Sequence, residues 1–183
     1  LKDIPGDHLD VNINKLIEAP SGYSIADWLI VNLVDFLQRL ELLYSSCSLF
    51  CTSDTCPLLN AGPKYCYFWE DDDSPQPIQV SAPEYFDALK RYIKRNLLNK
   101  ELFPDEIKGD LLPKARAVIN TSYRRLFRIL AHLYICHYSD ISKLTDLKYF
   151  EIMNTILTHY TNIALIYQVC KLEDFEIFNQ IFQ

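Results

Sequence analysis

The chain has 183 residues, with 18 Lys+Arg against 24 Asp+Glu, giving a formal net charge of −6. Apolar residues make up 49% and charged residues 23%. That excludes a disordered or low-complexity chain and fits one compact domain over residues 1–183 with a sizeable core.

Taken in chain order, Ser24-Ile25-Ala26-Asp27 reads as a capping box with Asp in place of Glu. Behind it Ile25, Trp28, Leu29, Phe36, Leu40 and Leu43 recur at helical spacing, which predicts a long helix over 25–46. Residues 51–83 change character, because Pro57, Gly62, Pro63, Pro75, Pro77 and Pro83 prevent a long helix. Within them Tyr65, Tyr67 and Trp69 alternate with Cys66 and Phe68, ahead of the turn-like Asp71-Asp72-Asp73-Ser74 and then Ile78-Gln79-Val80. This pattern predicts a small β-hairpin. A helix resumes at Pro83-Glu84, with Tyr85, Phe86, Leu89, Ile93 and Leu97 on its apolar face and Lys90, Arg91, Lys94 and Arg95 on its wet one. Further helices are predicted from about Pro113 to Tyr138, from about Leu147 to Val169, and from near Glu173. The architecture expected is mostly α, a helical bundle carrying one hairpin.

Net charge hides an uneven distribution. Residues 1–89 carry 4 basic and 14 acidic side chains, a net of −10; residues 90–128 carry 11 and 4, a net of +7; residues 129–183 carry 3 and 6, a net of −3. Two surfaces of opposite sign are one reading, and ordinary solvated helix faces are the other. A solvated face is the reading favoured for Lys90–Arg95. The acidic total argues against a nucleic-acid binder. The longest apolar run, Trp28 to Val34, is broken by Asn32 and falls short of the ~18 residues of a membrane span. No secretory pattern is visible, so the cytoplasm or nucleus is expected. Because the first residue is Leu1, a natural N-terminal segment is expected to precede it. A monomer is the default.

Six cysteines are present, at 47, 51, 56, 66, 136 and 170. A chain with an ample core has no need of disulfides, so metal ligation is the more interesting use. Cys51 and Cys56 form a C-x4-C pair, and His132 and His137 an H-x4-H pair. Two thiolates and two imidazoles suit tetrahedral zinc. Five residues along a helix leave the two histidines about 140° apart, so they can share an ion only through long rotamers or a loosened helix end near Tyr138. Spacing alone leaves Cys136, Cys47 and Cys66 as competing ligands. Arg124, Arg125 and Arg128 fall on one helix, with 124 and 128 on a common face. Three guanidinium groups can grip a phosphate dianion, although such a cluster can equally be a solvated face or a set of ion pairs.

Several segments then resemble the Mob/phocein family of kinase activators. They are Ala26-Asp27-Trp28-Leu29-Ile30-Val31-Asn32 with Val34-Asp35-Phe36, Phe50-Cys51, Thr55-Cys56-Pro57 and Ala61-Gly62-Pro63-Lys64-Tyr65. Trp69, Ser81-Ala82-Pro83-Glu84-Tyr85 and Leu102-Phe103-Pro104 continue the series. It is strong again in Arg125-Leu126-Phe127-Arg128, Ala131-His132-Leu133-Tyr134 and His137, and Asn154-Thr155 and His159-Tyr160 add a weaker tail. The motifs fall in family order over roughly residues 19–170.

The resemblance implies a four-helix-bundle core and one structural Zn2+ held by Cys51, Cys56, His132 and His137. It further implies a non-catalytic adaptor and co-activator of Ndr/Lats-type kinases, in mitotic-exit, cytokinesis or Hippo-like signalling. The basic trio Arg124, Arg125 and Arg128 would bind a phosphothreonine peptide from an upstream kinase or scaffold. An acidic and apolar surface with Asp27, Trp28 and Val31 would meet the kinase's basic N-terminal segment. Two positions depart from the family pattern: Tyr23 stands where an acidic residue is common, and Ile152 where many members have His. The alternative within the family is a phocein-like scaffold subunit of a phosphatase–kinase assembly, and the arginine trio favours the kinase-activator branch. A zinc hydrolase is disfavoured, since no H-E-x-x-H is present and four protein ligands close the shell.

Overall fold

A computed structural model of the chain describes residues 9–10, 12–107, 109–144 and 148–181. The predicted starts near Leu147 and the segment before Leu1 lie outside them. Seven α-helices are formed by the described residues: α1 (Ile13–Ile17), α2 (Ile25–Ser46), α3 (Ala82–Leu97), α4 (Pro113–Cys136), α5 (Tyr138–Leu144), α6 (Lys148–Ile166) and α7 (Glu176–Ile181). A single 3-10 turn, Leu172–Phe175, leads into α7.

Local chemistry sets the helix ends. Ser24 caps α2 by accepting the Asp27 N–H at 3.0 Å. Ser81 and Glu84 form a full capping box on α3: Glu84 Oε2 accepts the Ser81 N–H at 2.9 Å, and Ser81 Oγ accepts the Glu84 N–H at 3.4 Å. The Ser81 hydroxyl also donates to Glu84 Oε2 at 2.6 Å, and that bond, with the one from the Ser81 N–H, holds the exposed Glu84 carboxyl below its ordinary range. α4 opens on Pro113, whose missing N–H costs nothing in a first turn.

α4 packs against α2 and α3, α2 also packs on α6, and α1 lies across α6. Phe36 of α2 is fully buried, stacked on Tyr160 of α6 at 4.3 Å and tilted against Phe127 of α4 at 4.9 Å. Burying each such ring contributes about 2 kcal/mol. Asn32, which interrupts the apolar run of α2, is buried and satisfies itself by donating to the Trp28 carbonyl at 2.8 Å. No helix among the described residues is long and apolar enough to cross a membrane.

The predicted β-hairpin does not form. Among the described residues there are only isolated antiparallel bridges, Asn60 with Cys66 and Trp69 with Ile78. The reason lies in the neighbouring pairs: on the turn side Asp71 and Ser74 bond each other, which leaves Pro75-Gln76-Pro77 bulged opposite Glu70, and on the other side Tyr67 and Val80 both bond Leu59 instead of one another. The segment is laced in a different way. Tyr67 N–H donates to the Leu59 carbonyl at 2.9 Å, and Leu59 N–H to the Val80 carbonyl at 3.3 Å. Chain 57–80 is therefore a loop, pinned to itself and to α3 and α4. Helices α1 and α5, each of one or two turns, were also not expected from the sequence.

Candidate metal centre and arginine cavity

Cys51 and Cys56 sit in a tight loop just past α2. The Cys51 N–H donates to the Cys47 carbonyl at 2.8 Å and the Cys56 N–H to the Thr52 carbonyl at 2.9 Å. Thr52 and Thr55 close it by exchanging backbone-to-hydroxyl bonds at 2.9 and 3.2 Å. His132 lies in the last turn of α4, and His137 is its C-cap, with φ −121° and ψ 6°. That departure from helical geometry is the loosened end that an H-x4-H pair requires.

All four side chains are buried, and their ligand atoms lie within 4.8 Å of one another. Cys51 Sγ is 3.3 Å from His132 Nε2, Cys56 Sγ is 3.4 Å from His137 Nε2, and the two Nε2 atoms are 3.2 Å apart. Zinc bonds of about 2.3 Å to sulfur and 2.0 Å to nitrogen give a tetrahedron with S–N edges near 3.5 Å and N–N edges near 3.3 Å. Three edges of the cluster already have about those lengths, so it could hold a metal ion. The competing cysteines are elsewhere: Cys136 Sγ donates to Asn60 Oδ1 at 3.2 Å, Cys47 Sγ lies 3.7 Å from Tyr149 Oη, and Cys66 is exposed.

Burial pushes the His132 imidazole down to about 4, despite the Asn60 carbonyl that its Nδ1 meets at 2.7 Å. Burial likewise lowers His137, against the pull of Asp140, whose Oδ2 lies 3.6 Å from Nδ1. Both rings are thus neutral at pH 7, as ligation demands. Burial raises the Cys51 thiol, and the Tyr44 hydroxyl, 3.0 Å from its sulfur, works the other way. Asn60 and Tyr44 were missed by sequence reasoning. A backbone carbonyl leaves no mark in a sequence, and Tyr44 reads only as one more core residue of α2.

The arginines project from the middle of α4 into a cavity of about 720 Å³. They are not equivalent. Arg125 lies over the Trp69 ring at 4.4 Å and the Tyr92 ring at 5.0 Å, and donates through Nη2 to the Glu70 carbonyl. Its other terminal nitrogen, Nη1, is buried without a hydrogen-bond partner. Arg128 lies over Tyr67 at 4.9 Å and donates to Tyr85 Oη at 3.1 Å. Arg124 is exposed and, among the described residues, bonds only Thr121 Oγ1, at 3.4 Å. Among the described residues none of the three is within ion-pair distance of a carboxylate.

Asp27, Trp28 and Val31 come to one face near the start of α2. Val31 is 47% exposed, with Tyr23 and Ile25 exposed nearby in the chain. Trp28 is half-buried, its Nε1–H donating to the Ile17 carbonyl at 3.0 Å and its ring edge-on to Tyr23 at 6.2 Å. Asp27 accepts the Ser24 hydroxyl at 2.6 Å. Ile152 is partly exposed on α6.

A helical bundle in which a buried Cys2His2 cluster clamps a cysteine loop to the end of a central helix defines the class of this protein. The Mob1/phocein family model matches residues 7–178, and the chain belongs to that family. It is 37% identical over 150 residues to the MOB kinase activator-like 1A of Arabidopsis thaliana, covering 81% of this chain and 68% of that one. It is 35% identical over 150 residues to the MOB kinase activator-like 1 homolog A of Dictyostelium discoideum (81% and 69%). The maintenance of ploidy protein mob1 of Schizosaccharomyces pombe is also 35% identical over 150 residues (81% and 70%).

Proposed function

We propose that this protein is a non-catalytic adaptor and co-activator of Ndr/Lats-type serine/threonine kinases, acting in the cytoplasm or nucleus. Cys51, Cys56, His132 and His137 hold one Zn2+, which serves as a structural cross-link. Four protein donors complete a tetrahedral shell and leave no position for substrate. Arg124, Arg125 and Arg128 bind a phosphothreonine of an upstream kinase or scaffold. Asp27, Trp28 and Val31 meet the basic regulatory segment of the kinase, where an exposed apolar residue beside a carboxylate suits a cationic amphipathic helix. Membership of a family whose relatives are named as kinase activators supports the kinase role.

The observation that carries the phosphate reading is the convergence on one cavity of three arginines, none of them in an ion pair with a described carboxylate. Phosphothreonine brings nearly two negative charges and three acceptor oxygens to such a site. The test is retention of a phosphothreonine peptide library on immobilised protein, beside its unphosphorylated counterpart. Wild type retains the phosphorylated pool, and Arg124→Glu reduces that retention by about tenfold or more. Equal retention of the two pools by the wild type would refute the reading.

A further inference from the structure

A cavity that only had to hold a phosphate would gain from being positive on every side. The cavity of the arginine trio is not. Glu70, Asp71 and Asp72 also line it, and so does Asp174. Two of these carboxylates have tasks inside the fold. Asp71 Oδ1 accepts the Asp73 and Ser74 N–H groups at 3.1 and 2.9 Å, and its Oδ2 lies 3.7 Å from Arg95. Asp174 Oδ2 accepts the Lys171 N–H at 2.8 Å. Glu70 and Asp72 are exposed and take part in no ion pair among the described residues.

Opposite charges lining one small space close on each other unless something holds them apart. Here two of the arginines are held, and so is the loop backbone that carries Glu70 and Asp72. Arg125 is stacked between Trp69 and Tyr92, and Arg128 is bonded to Tyr85. On the acidic side, Asp71 closes its own turn, and Arg95 of α3 pairs with Asp73. A cavity of 720 Å³ has a span of about 9 Å, close to the Debye length of ~8 Å at physiological salt, so both signs are felt by one bound ligand. A bare phosphate would satisfy the arginines and be repelled by Glu70 and Asp72.

We infer that the cavity is a two-sign receptor. Arg124, Arg125 and Arg128 take the phosphate, and Glu70 and Asp72 take a Lys or Arg close to the phosphothreonine in the same peptide. The inference rests on the phosphothreonine reading above and names the class of peptide that reading leaves open. Acidic flanks are rejected by the same loop, so selectivity comes from repulsion as well as attraction.

The test uses an oriented library with a fixed phosphothreonine and randomised flanks, retained on the wild type and on the Glu70→Gln/Asp72→Asn double variant. Both substituted side chains are exposed, and the melting temperature checks that the fold is kept. Wild type enriches Lys or Arg over Ala at one or more flanking positions by about fivefold, the scale of an exposed charge pair. The double variant loses that enrichment while still preferring phosphorylated peptide. Phosphate-dependent binding with no basic enrichment by the wild type, or with equal enrichment by the variant, overturns the two-sign inference alone. Loss of phosphate dependence in the wild type overturns the phosphothreonine reading and this inference with it.

Discussion

Arg125 braces the fold as well as lining the phosphate site proposed for it. Its guanidinium bridges Trp69 and Tyr92 and holds the Glu70 carbonyl, so it ties the loop 57–80 to α4 and α3 while keeping one nitrogen unpartnered. Arg124 has no such ties. Arg125→Ala is therefore expected to cost about 2 kcal/mol, lowering the melting temperature by ~4–8 °C, whereas Arg124→Ala stays within about 0.5 kcal/mol of wild type. Thermal melts followed by circular dichroism distinguish the two, and equal shifts would contradict the division of labour. The RRxxR cluster is plain in the sequence, but this division is not. The rings under Arg125 come from distant parts of the chain, and no local pattern reports which guanidinium they cover. The same holds for Lys90 and Arg95, which read as a solvated face. In the fold Lys90 pairs with Asp87 and Glu41 at 2.8 and 3.3 Å, and Arg95 pairs with Asp71 and Asp73.

Helix α3 is fixed at its first turn by side chains of that turn and of the cysteine loop. Its capping box is complete, and the Ser81 hydroxyl also meets Ser53 Oγ at 3.1 Å, beside the cysteine loop. Replacing Ser81 with Ala removes both interactions. The expected cost is about 1 kcal/mol, a fall of ~2–4 °C in melting temperature, and Ser81→Thr recovers most of it. A null result in a thermal scan would show that the cap carries no weight. The long helices were legible because caps and 3.6-residue periodicity act within a few residues: α2 runs over the predicted 25–46. The hairpin is not legible because alternation says nothing of the partner: Leu59, well outside the alternating run, takes the bonds of Tyr67 and Val80 that would extend the ladder. The metal ligands were legible as a pattern of residue types, with three further cysteines left in competition. Only the fold separates them, by spending Cys136 on Asn60 and leaving Cys66 in solvent.

Across the whole molecule the acidic first half and the basic middle meet through Lys90–Glu41 and Arg95–Asp71/Asp73, so part of the +7 stretch is neutralised internally, while Arg124, Arg125 and Arg128 face a cavity with no ion pair among the described residues. The Cys2His2 cluster is the other long-range tie, joining the loop after α2 to the end of α4. Removal of the proposed zinc by a strong chelator is expected to lower the melting temperature by at least about 10 °C, since structural sites of this kind contribute several kcal/mol or more, and re-addition restores it. Calorimetry with and without chelator is the check, and an unchanged transition would exclude a structural metal.

The placement of the tryptophans has a practical consequence. The chain has two, Trp28 and Trp69. The first is half-buried on the face proposed for the kinase segment, and the second lies beneath a guanidinium proposed for phosphate. Each proposed docking surface thus carries its own fluorophore. A Trp28→Phe or Trp69→Phe background makes the remaining indole an unlabelled optical reporter for one surface at a time.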